Sequence, residues 1–442
     1  MSRKQESGIS RYFAGISALC VLLALFVTAC NSPAGTVSNL EDGSGAYATG
    51  KYRNLFVEAG YSQKEIDDKL DNIFQHFFRG DENTQRLYYP SGSNENGPLA
   101  YMPDINNNDV RSEGMSYGMM ICVQLDKKSE FDALWNWAMT YMYHDDPNHP
   151  TYGFFSWSMN FDGTARDELP APDGEEYFAM ALYFAANRWG NGQGIYNYKA
   201  CADRLLSNMV HREPITGMVR GRFSRVQTVG KEVNDEHAMI LFSPDSRRNN
   251  MTDPSYHLPA FYELWSRWGP KQDSDFWKRA AASSRDFFQK CTDPNTGLNP
   301  NYANFDGTPY GRGGSGNTRD FRYDAWRTAM NWSVDWSWWR KDTRERELSD
   351  KLEKFFESQG IDTYGDLYTL DGTPLGNSHS AGLISTNAVT ALAATDTERA
   401  KKFVEAIWEL EPPSGRDRYY GGLLYYMSML HCSGEFKIWK PE

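Results

Sequence analysis

Residues 111–120 read RSEGMSYGMM, and they predict a helix that carries small or apolar side chains on every side. Its glycines are too small to fill a core and let another chain or a ligand approach closely, while its methionines supply an apolar wall. Such a helix is buried all round. Glu113 lies at its start, and a carboxyl held against an apolar wall has its charged form disfavoured, which raises its pKa toward that of a working acid. The structural alternative is that Glu113 only interacts with the helix dipole.

Helical periodicity continues along the rest of the chain. Ser62-x-x-Glu65 is a capping box, and it opens a helix whose apolar stripe includes Ile66, Leu70, Ile73 and Phe77. Eleven further helices are predicted at 112–126, 128–143, 174–189, 198–211, 256–268, 274–291, 324–340, 345–358, 380–394, 397–409 and 419–432. Strand signals are few and short, at best hairpins inside long loops.

The helices differ in a way that indicates two layers. Segments 112–126, 174–189, 256–268, 324–340 and 380–394 are small, Met-rich or aromatic all round, whereas partners such as 345–358 are amphipathic. A linear solenoid needs polar capping repeats and a repeat motif, and the sequence has neither. We therefore predict an all-α fold, a closed (α/α)6 barrel of six inner and six outer helices. Polar loops at 80–110, 144–172, 212–255 and 292–323 should gather at one rim.

The N-terminus has the pattern of an export signal. Arg3, Lys4 and Arg11 precede the apolar run 14–29, which ends in small residues directly before Cys30 and resembles a bacterial lipobox. We predict a lipoprotein signal peptide over 1–29, lipidation of Cys30, a flexible tether over 30–48 and one domain over 49–442. An ordinary secretory signal peptide is the alternative. The predicted location is the periplasm or the outer-membrane surface of a Gram-negative bacterium.

Composition narrows the class of partner. The net charge of −12 argues against nucleic acid or an anionic membrane surface, and is compatible with a neutral carbohydrate. The 14 Trp, 26 Tyr and 24 Phe exceed what a core needs and indicate an aromatic-lined cleft. Besides Cys20 and Cys30, the cysteines are scattered singly and predict buried thiols rather than a metal site or a disulfide framework. We predict no metal site at YHDDPNHP, residues 143–150, because its ligand types and spacing fit no familiar pattern.

Three acidic clusters stand at the starts of predicted inner helices. They contain Glu113, Asp173 in PAPDGEEYFAMALYFA (170–185) and Asp324 in FRYDAWRTAMNW (321–332), with Arg322 and Arg327 close to Asp324. Acidic residues also favour helix N-termini for stability alone. In a barrel, however, equivalent helix ends converge on one cavity. Glycoside hydrolysis needs such a set, with one protonated carboxyl and one ionised carboxylate, and the arginines would keep Asp324 charged.

Long motifs make the resemblance specific. The sequence resembles glycoside hydrolase family 8, most closely its reducing-end xylose-releasing exo-oligoxylanases, from about Tyr52 to Trp439. The motifs are RSEGMSYGMM, PAPDGEEYFAMAL, SPDSRRNNMTDPSYHLPAFYELW (243–265), RYDAWR (322–327) and GLISTNA (382–388). The resemblance implies an (α/α)6 barrel and an inverting glycosidase.

The resemblance also implies roles for individual residues. Glu113 matches the general acid and Asp324 the general base, with Asp306 in NFDGTP as the alternative base. Asp173 matches a carboxylate that lines the subsite of the attacked sugar, and Tyr256 a tyrosine that helps to hold the nucleophilic water. Inversion requires room for that water, so the two carboxyls should lie roughly 6.5–9.5 Å apart.

Substrate contacts follow from the same resemblance. Trp157 in GFFSWS matches a sugar-stacking residue, whereas Trp135, Trp137 and Trp326 are weaker candidates, and each tryptophan alone could belong to the core. His379, in GNSHSAG (376–382), matches a histidine presented to the reducing-end hydroxyl. Ser378 and Ser380 replace the leucine and proline of the pattern, and loss of the proline predicts looser selection of the reducing end. Alternatively, His379 is an ordinary loop histidine.

These observations predict an exported, lipid-anchored, monomeric inverting glycosidase that releases xylose from the reducing end of β-1,4-xylo-oligosaccharides. No cofactor is implied, because the two carboxylates suffice. Within the same class, the alternative is an endo-acting family 8 xylanase or glucanase. From another class, it is a non-catalytic, glycan-binding surface lipoprotein, which needs aromatic platforms but no matched acid and base.

Overall fold

The computed structural model describes residues 44–311 and 317–442. Within them are fourteen α-helices: α1 Ala46–Thr49, α2 Leu55–Ala59, α3 Gln63–Arg79, α4 Ser112–Gln124, α5 Lys128–Trp137, α6 Pro172–Trp189, α7 Tyr198–His211, α8 Pro259–Trp268, α9 Ser274–Cys291, α10 Trp326–Trp339, α11 Arg344–Gln359, α12 Ala381–Val389, α13 Thr397–Glu409 and α14 Arg418–Cys432. Helices α3 to α14 are the twelve that periodicity predicts. The predicted signal peptide, Cys30 and tether residues 30–43 lie outside the described residues.

The even-numbered helices from α4 to α14 form the inner ring. Helix α4 packs on α6 and α14, α12 packs between α10 and α14, and α10 packs on α8. Tyr177 of α6 meets Phe261 of α8 with ring centroids 5.3 Å apart, which closes the ring. Outer helices α5, α7, α9, α11 and α13 each pack on the inner helix that precedes them in the chain, and α3 packs on α14. The predicted (α/α)6 barrel is therefore confirmed.

The two layers follow from composition. The three methionines of the opening stretch are all inaccessible to solvent, as expected for an inner helix. Helix α3 buries only its apolar stripe, and the predicted capping box of Ser62 and Glu65 is formed. A side chain at Gly118 would collide with Met102, so this glycine permits close packing between α4 and the loop before it. The inner helix α4 is thus buried along nearly its whole length, whereas the outer helix α3 buries one face.

Two inner helices begin later than periodicity predicts. Helix α8 begins at Pro259 rather than 256, and α10 begins at Trp326 rather than 324. A single 3-10 turn precedes each of them, at Pro254–Tyr256 and Tyr323–Ala325. Proline at the first helical position sets the start of α8, because it has no N–H to donate to an earlier turn. Consequently Tyr256 and Asp324 lie on turns at the barrel rim rather than inside helices.

Ten short strands lie in the predicted rim loops. They are β1 Tyr89–Asn94, β2 Gly97–Tyr101, β3 Pro103–Asp104, β4 Asp109–Arg111, β5 Ser158–Met159, β6 Ala165–Asp167, β7 Ile215–Val219, β8 Arg225–Val229, β9 Val233–Asn234 and β10 Met239–Ile240. All pairings are antiparallel: β3-β4-β5-β6 form one sheet, and β1-β2, β7-β8 and β9-β10 form hairpins. The four-stranded sheet joins the loop before α4 to the loop before α6.

The far end of the barrel holds the start of the described chain. Tyr47 stacks on Trp339 with ring centroids 4.3 Å apart, and a side chain at Gly45 would collide with the Trp338 carbonyl. Residues 44–48, predicted as the end of the tether, instead pack against the barrel. Since Asp324 precedes the first residue of α10 and Trp339 is its last, this contact lies at the end opposite Asp324.

Candidate active site

Glu113 lies in the first turn of α4, directly after β4. Because Gly114 has no side chain, Tyr419 of α14 can approach closely; a Cβ there would lie 2.5 Å from the Tyr419 ring. The Tyr419 hydroxyl donates to Glu113 Oε1 at 3.2 Å. The predicted role of the small residues, close approach of another chain, is therefore met by Tyr419.

Arg327, in the first turn of α10, connects the three acidic clusters. Its Nη1 donates to Glu113 Oε2 at 3.0 Å and to Asp173 Oδ2 at 2.9 Å. Its Nη2 lies 3.5 Å from Asp324 Oδ1. The Arg327 side chain is 3% exposed, so these contacts are shielded from water. The starts of three inner helices thus meet at one buried cation, as the barrel prediction requires.

The electrostatics of the cluster favour a protonated Glu113. Burial raises the pKa of Glu113 to about 7; Arg327 opposes this shift, while Asp173 and Asp324 add to it. Burial also raises the pKa of Asp173, against the opposing charge of Arg327. Arg327 is in contact with all three carboxylates and Arg111 adds a weaker opposing charge, so full ionisation of all three would leave uncompensated negative charge in a desolvated site. Glu113 can therefore hold a proton near neutral pH, as a general acid must.

Asp324 is in a more solvated environment. Its side chain is 31% exposed. Asn301 contacts both its side chain and its backbone: Asn301 Nδ2 donates to Asp324 Oδ2 at 3.4 Å, and the Asp324 amide donates to Asn301 Oδ1 at 3.2 Å. The preceding residue, Tyr323, has a φ of +26°, which is strained for a residue with a side chain. The Tyr420 hydroxyl donates to the Tyr323 carbonyl at 2.9 Å and holds this turn. The pair thus combines a proton-holding carboxyl that is only 15% exposed with a more accessible one.

Two cavities meet at these carboxylates, and Arg111, Glu113 and Asp324 line both of them. The larger has a volume of about 690 Å³ and also reaches Trp326, Asp366, Ser378, His379, Ser380, Arg416 and Tyr420. The smaller has a volume of about 330 Å³ and also reaches Trp157, Asp173, Phe242, Arg248, Tyr256, Tyr302 and Arg327. A chain-like ligand that occupies both cavities would place one of its linkages at Glu113 and Asp324.

Tyr256 and Trp157 both line the smaller cavity. Tyr256 is almost fully buried, its ring lies parallel to that of Phe242, and the Arg327 guanidinium lies 5.9 Å from its centroid. The Arg111 guanidinium lies over the Trp157 ring, 5.3 Å from its centroid. Both aromatic residues therefore lie in the wall of the smaller cavity; the sugar-stacking role of Trp157 and the water-holding role of Tyr256 stay predictions.

Of the other three tryptophan candidates, one lines a cavity and two belong to the core. Trp326 lines the larger cavity, and its indole N–H donates to the Asp366 carbonyl at 3.0 Å. Trp135 and Trp137 are 2% and 1% exposed and belong to the hydrophobic core, so they are not platforms. Periodicity could not separate these cases, because each tryptophan lies in a predicted helix or at its start.

His379 lines the larger cavity together with both flanking serines. Its Nδ1 lies 2.8 Å from the Tyr364 carbonyl oxygen, and its ring meets the Tyr364 ring edge-on. Since a carbonyl only accepts, Nδ1 carries a proton, and Nε2 is the nitrogen that can meet a ligand. Ser380 contacts Asp366, which anchors this side of the loop.

Asp306, the alternative base, lies elsewhere. It is in an exposed turn, where it accepts from the Thr308 amide and hydroxyl, and these bonds lower its pKa. It lines neither of the two cavities that Glu113 shares with Asp324. Its position therefore favours Asp324 as the base.

Sequence reasoning missed several residues that hold the cluster. Asp253 is fully buried and accepts from the amide and hydroxyl of Ser255, whose hydroxyl accepts from Arg327 Nη2 at 2.8 Å. Burial raises the pKa of Asp253 well above its ordinary value. The Tyr117 hydroxyl accepts from Arg327 Nη1 at 2.8 Å. Tyr117 follows Glu113 by four residues, which places both on one helix face and could have identified it; Tyr419 gave no comparable signal.

His144 and His149, in the segment 143–150, and the four barrel cysteines are the remaining candidates for metal or thiol chemistry. His144 and His149 stack on each other with centroids 4.4 Å apart. In the described part of the chain, no group of three or more His, Cys, Asp and Glu side chains is arranged to hold a metal ion. Cys122, Cys201, Cys291 and Cys432 are buried free thiols, as predicted.

A helical barrel that holds a largely desolvated proton donor and a second carboxylate where two halves of a cleft meet has the groups that a glycosidase needs. A sequence profile of glycosyl hydrolases family 8 matches residues 95–434. The reducing-end xylose-releasing exo-oligoxylanase Rex8A of Paenibacillus barcinonensis is 43% identical, over 90% of this chain and 99% of that protein. The reducing end xylose-releasing exo-oligoxylanase of Halalkalibacterium halodurans is 41% identical, over 90% and 97%.

Solved structures give the same result. A family 8 enzyme from Teredinibacter turnerae in complex with xylobiose is 56% identical, with a TM-score of 0.87, over 90% of this chain and 100% of that chain. A catalytic mutant of a family 8 xylanase from that organism, in complex with xylohexaose, matches with the same values. The chain belongs to glycosyl hydrolase family 8.

Proposed function

We propose that the protein is an inverting glycosidase that releases xylose from the reducing end of β-1,4-xylo-oligosaccharides. The observation that carries the proposal is that Glu113 and Asp324 line both cavities, so a sugar chain seated in both presents one linkage to both carboxylates. The relatives named as reducing-end xylose-releasing exo-oligoxylanases support the choice of substrate.

Membership of family 8, for which the resemblance implies inversion, supports a single-displacement reaction. Glu113 donates its proton to the glycosidic oxygen while the bond from that oxygen to the anomeric carbon breaks. Water attacks the anomeric carbon from the opposite face, and Asp324 accepts the proton that the water loses. The anomeric configuration inverts, Glu113 is left ionised and Asp324 protonated, and proton exchange with solvent resets both. Asp173, bound to Arg327, and Tyr256 line the cavity that holds the attacked sugar.

His379 supplies the selection of the reducing end. It lines the larger cavity, which receives the leaving xylose, and its Nε2 can bind the C1 hydroxyl of that sugar. Xylotriose and borohydride-reduced xylotriose test this, because reduction opens the terminal ring. We expect xylose and xylobiose from xylotriose and at least about tenfold slower cleavage of the reduced sugar, equivalent to one lost hydrogen bond of about 1.4 kcal/mol. Equal rates on both sugars would contradict the proposal.

The matched variant is His379→Ala. It should lose most of the discrimination between the two sugars while retaining cleavage of xylotriose, because the carboxylates are untouched. If His379→Ala discriminates as well as the wild type, this residue does not read the reducing end. A wild-type protein that binds xylotriose without hydrolysing it would indicate a glycan-binding role instead.

Endo-acting xylanase activity is the second candidate. It is favoured by the serines that flank His379 and by the 56% identity to the xylanase that was solved with xylohexaose. Xylohexaose separates the two activities. Reducing-end release gives xylose and xylopentaose as the first products, whereas internal cleavage gives xylobiose, xylotriose and xylotetraose without early xylose.

We further propose that the protein is exported, anchored through a lipid on Cys30 and monomeric. No helix among residues 44–311 and 317–442 combines the length and apolar character needed to cross a bilayer. Partition of the full-length protein into detergent, lost in Cys30→Ala, tests the anchor. Light scattering after size exclusion in detergent, corrected for bound detergent, tests the monomer; a dimer mass would contradict it.

A further inference from the structure

Glu176 is a fully buried carboxyl in the first half of α6, outside both cavities. Its Oε1 lies 2.6 Å from the hydroxyl oxygen of Tyr262 in α8. That same hydroxyl oxygen lies 2.8 Å from the backbone carbonyl oxygen of Tyr256. The other carboxyl oxygen, Oε2, has no partner in the described part of the chain. Glu176, Tyr262 and the Tyr256 backbone thus form a short polar chain beneath the smaller cavity.

Counting protons along this chain determines its direction. The Tyr256 carbonyl can only accept a hydrogen bond, and the Tyr262 hydroxyl has a single proton. An ionised Glu176 could also only accept, which would leave one of the two short contacts without a full hydrogen bond. A neutral Glu176 supplies the second proton: it donates to Tyr262, and Tyr262 donates to Tyr256. Both contacts are then satisfied.

The surroundings favour the neutral acid. The charged and titratable groups that face Glu176 are Asp173, Glu175 and Tyr177 on its own helix, Glu232 before β9, Tyr262 on α8 and Arg327 on α10. Arg327 is the one cation in this set, and it is already bound to Glu113 and Asp173. Burial raises the pKa of Glu176 well above its ordinary value; the contact with Tyr262 opposes the shift and Asp173 adds to it.

We propose that Glu176 is a positioning residue: as a neutral carboxylic acid it donates to Tyr262 and, through Tyr262, fixes the backbone of Tyr256 at the cavity wall. The inference rests on the proposed function and on the role that the resemblance implies for Tyr256, which is to help hold the attacking water. The Tyr256 ring is held on its faces by Phe242 and Arg327. The carbonyl contact sets how far the residue reaches into the cavity, and small displacements of such groups cost much of the rate.

Three variants test the inference: Glu176→Gln, Glu176→Leu and Tyr262→Phe. We expect Glu176→Gln to keep kcat on xylotriose within about threefold, because an amide N–H can donate to Tyr262 as the acid does. Glu176→Leu and Tyr262→Phe should lower kcat about 10- to 100-fold with a smaller change in KM, since they misplace Tyr256 and leave the other residues of the sugar cavity in place. Glu175→Gln is the matched control, because Glu175 accepts from the Phe155 amide and has no contact with Tyr262 in the described structure. It should keep kcat.

The pH profile of kcat/KM separates a positioning role from a general loss of packing. In Glu176→Gln a neutral group replaces a neutral group, so the alkaline limb that Glu113 sets should not move. A limb displaced to lower pH would overturn the inference, because it requires the loss of a negative charge near Glu113. Unchanged kcat in Tyr262→Phe would overturn it as well. Thermal unfolding of each variant identifies any that fail to fold.

Infrared spectroscopy tests the protonation state without any activity. At neutral pH, the difference spectrum of wild type minus Glu176→Gln should contain the C=O stretch of a protonated carboxyl. A carboxylate band in its place would overturn the inference. If the wild type hydrolyses no xylo-oligosaccharide, the proposed function fails, and this measurement still decides the state of Glu176.

Discussion

The guanidinium of Arg327 and the carboxyl of Glu113 are joined at 3.0 Å, between the first turns of α10 and α4. A cation at this distance stabilises the ionised form of its partner, which is the opposite of what a general acid requires. Burial outweighs this effect, and the carboxylates of Asp173 and Asp324 add to the effect of burial. The pKa of Glu113 is therefore determined by the balance of burial, Arg327 and two carboxylates within one cluster, and not by the apolar helix alone.

This balance predicts the alkaline limb of activity. Because burial raises the pKa of Glu113 to about 7, kcat/KM on xylotriose should fall above about pH 7 as the donor loses its proton. In Arg327→Met the cation that favours ionisation is gone, so the pKa of Glu113 rises and the limb should move to higher pH. The residual activity of this variant, measured from pH 5 to 10, provides the test. A limb that stays in place would mean that Glu113 does not set it.

The acid role of Glu113 predicts a dependence on the leaving group. Glu113→Gln should lower kcat/KM on xylotriose about 10²- to 10⁴-fold, the usual contribution of a general acid. Xylobiosyl fluoride has a leaving group that needs little protonation, so its hydrolysis should fall much less. Equal losses on both substrates would argue against proton donation by Glu113.

Asp324→Asn should also lower kcat/KM about 10²- to 10⁴-fold, but equally on xylotriose and on the fluoride, because water must be activated in both reactions. Asp306→Asn is the matched control: this carboxyl lies in an exposed turn, outside the two cavities. It should leave both rates unchanged. The reverse result would assign the base to Asp306.

A buried glutamate far from the site predicts a pH-dependent stability. Glu353 of α11 is 1% exposed and accepts from the Thr390 hydroxyl at 2.8 Å, and burial raises its pKa from 4.5 to about 8 against the opposing charge of Arg399, 3.6 Å away. The folded state then holds this proton more tightly than the unfolded state, so the stabilisation is complete below about pH 4.5 and is lost as the pH rises to about 8. The loss is on the order of a few kcal/mol.

Urea unfolding at pH 5 and pH 8 measures the contribution of Glu353 to the free energy of unfolding. The free energy of unfolding should fall less between the two values in Glu353→Gln than in the wild type, because the amide does not titrate. Other buried carboxyls contribute to both proteins alike and cancel in the comparison. An identical fall in both would show that Glu353 does not carry the shift.

The sequence by itself determined the twelve barrel helices and the placement of Glu113, Asp173 and Asp324 at the starts of inner helices. Both are properties of short segments, since helical periodicity, all-round apolarity and acidic first turns are read within a few residues. The motifs around these residues also carried the resemblance to family 8. The predicted starts of α8 and α10 were too early, because a 3-10 turn precedes each helix and a proline begins α8.

Only the tertiary structure decided which side chains meet. Arg327 and Glu113 are 214 residues apart in the chain, and no local pattern indicates that one guanidinium serves three carboxylates. The same is true of the core positions of Trp135 and Trp137, and of the polar chain from Glu176 to Tyr256. The burial and the charged partners of Glu113 arise only when distant helices pack together. They determine its pKa, which therefore does not follow from the position of Glu113 in the sequence.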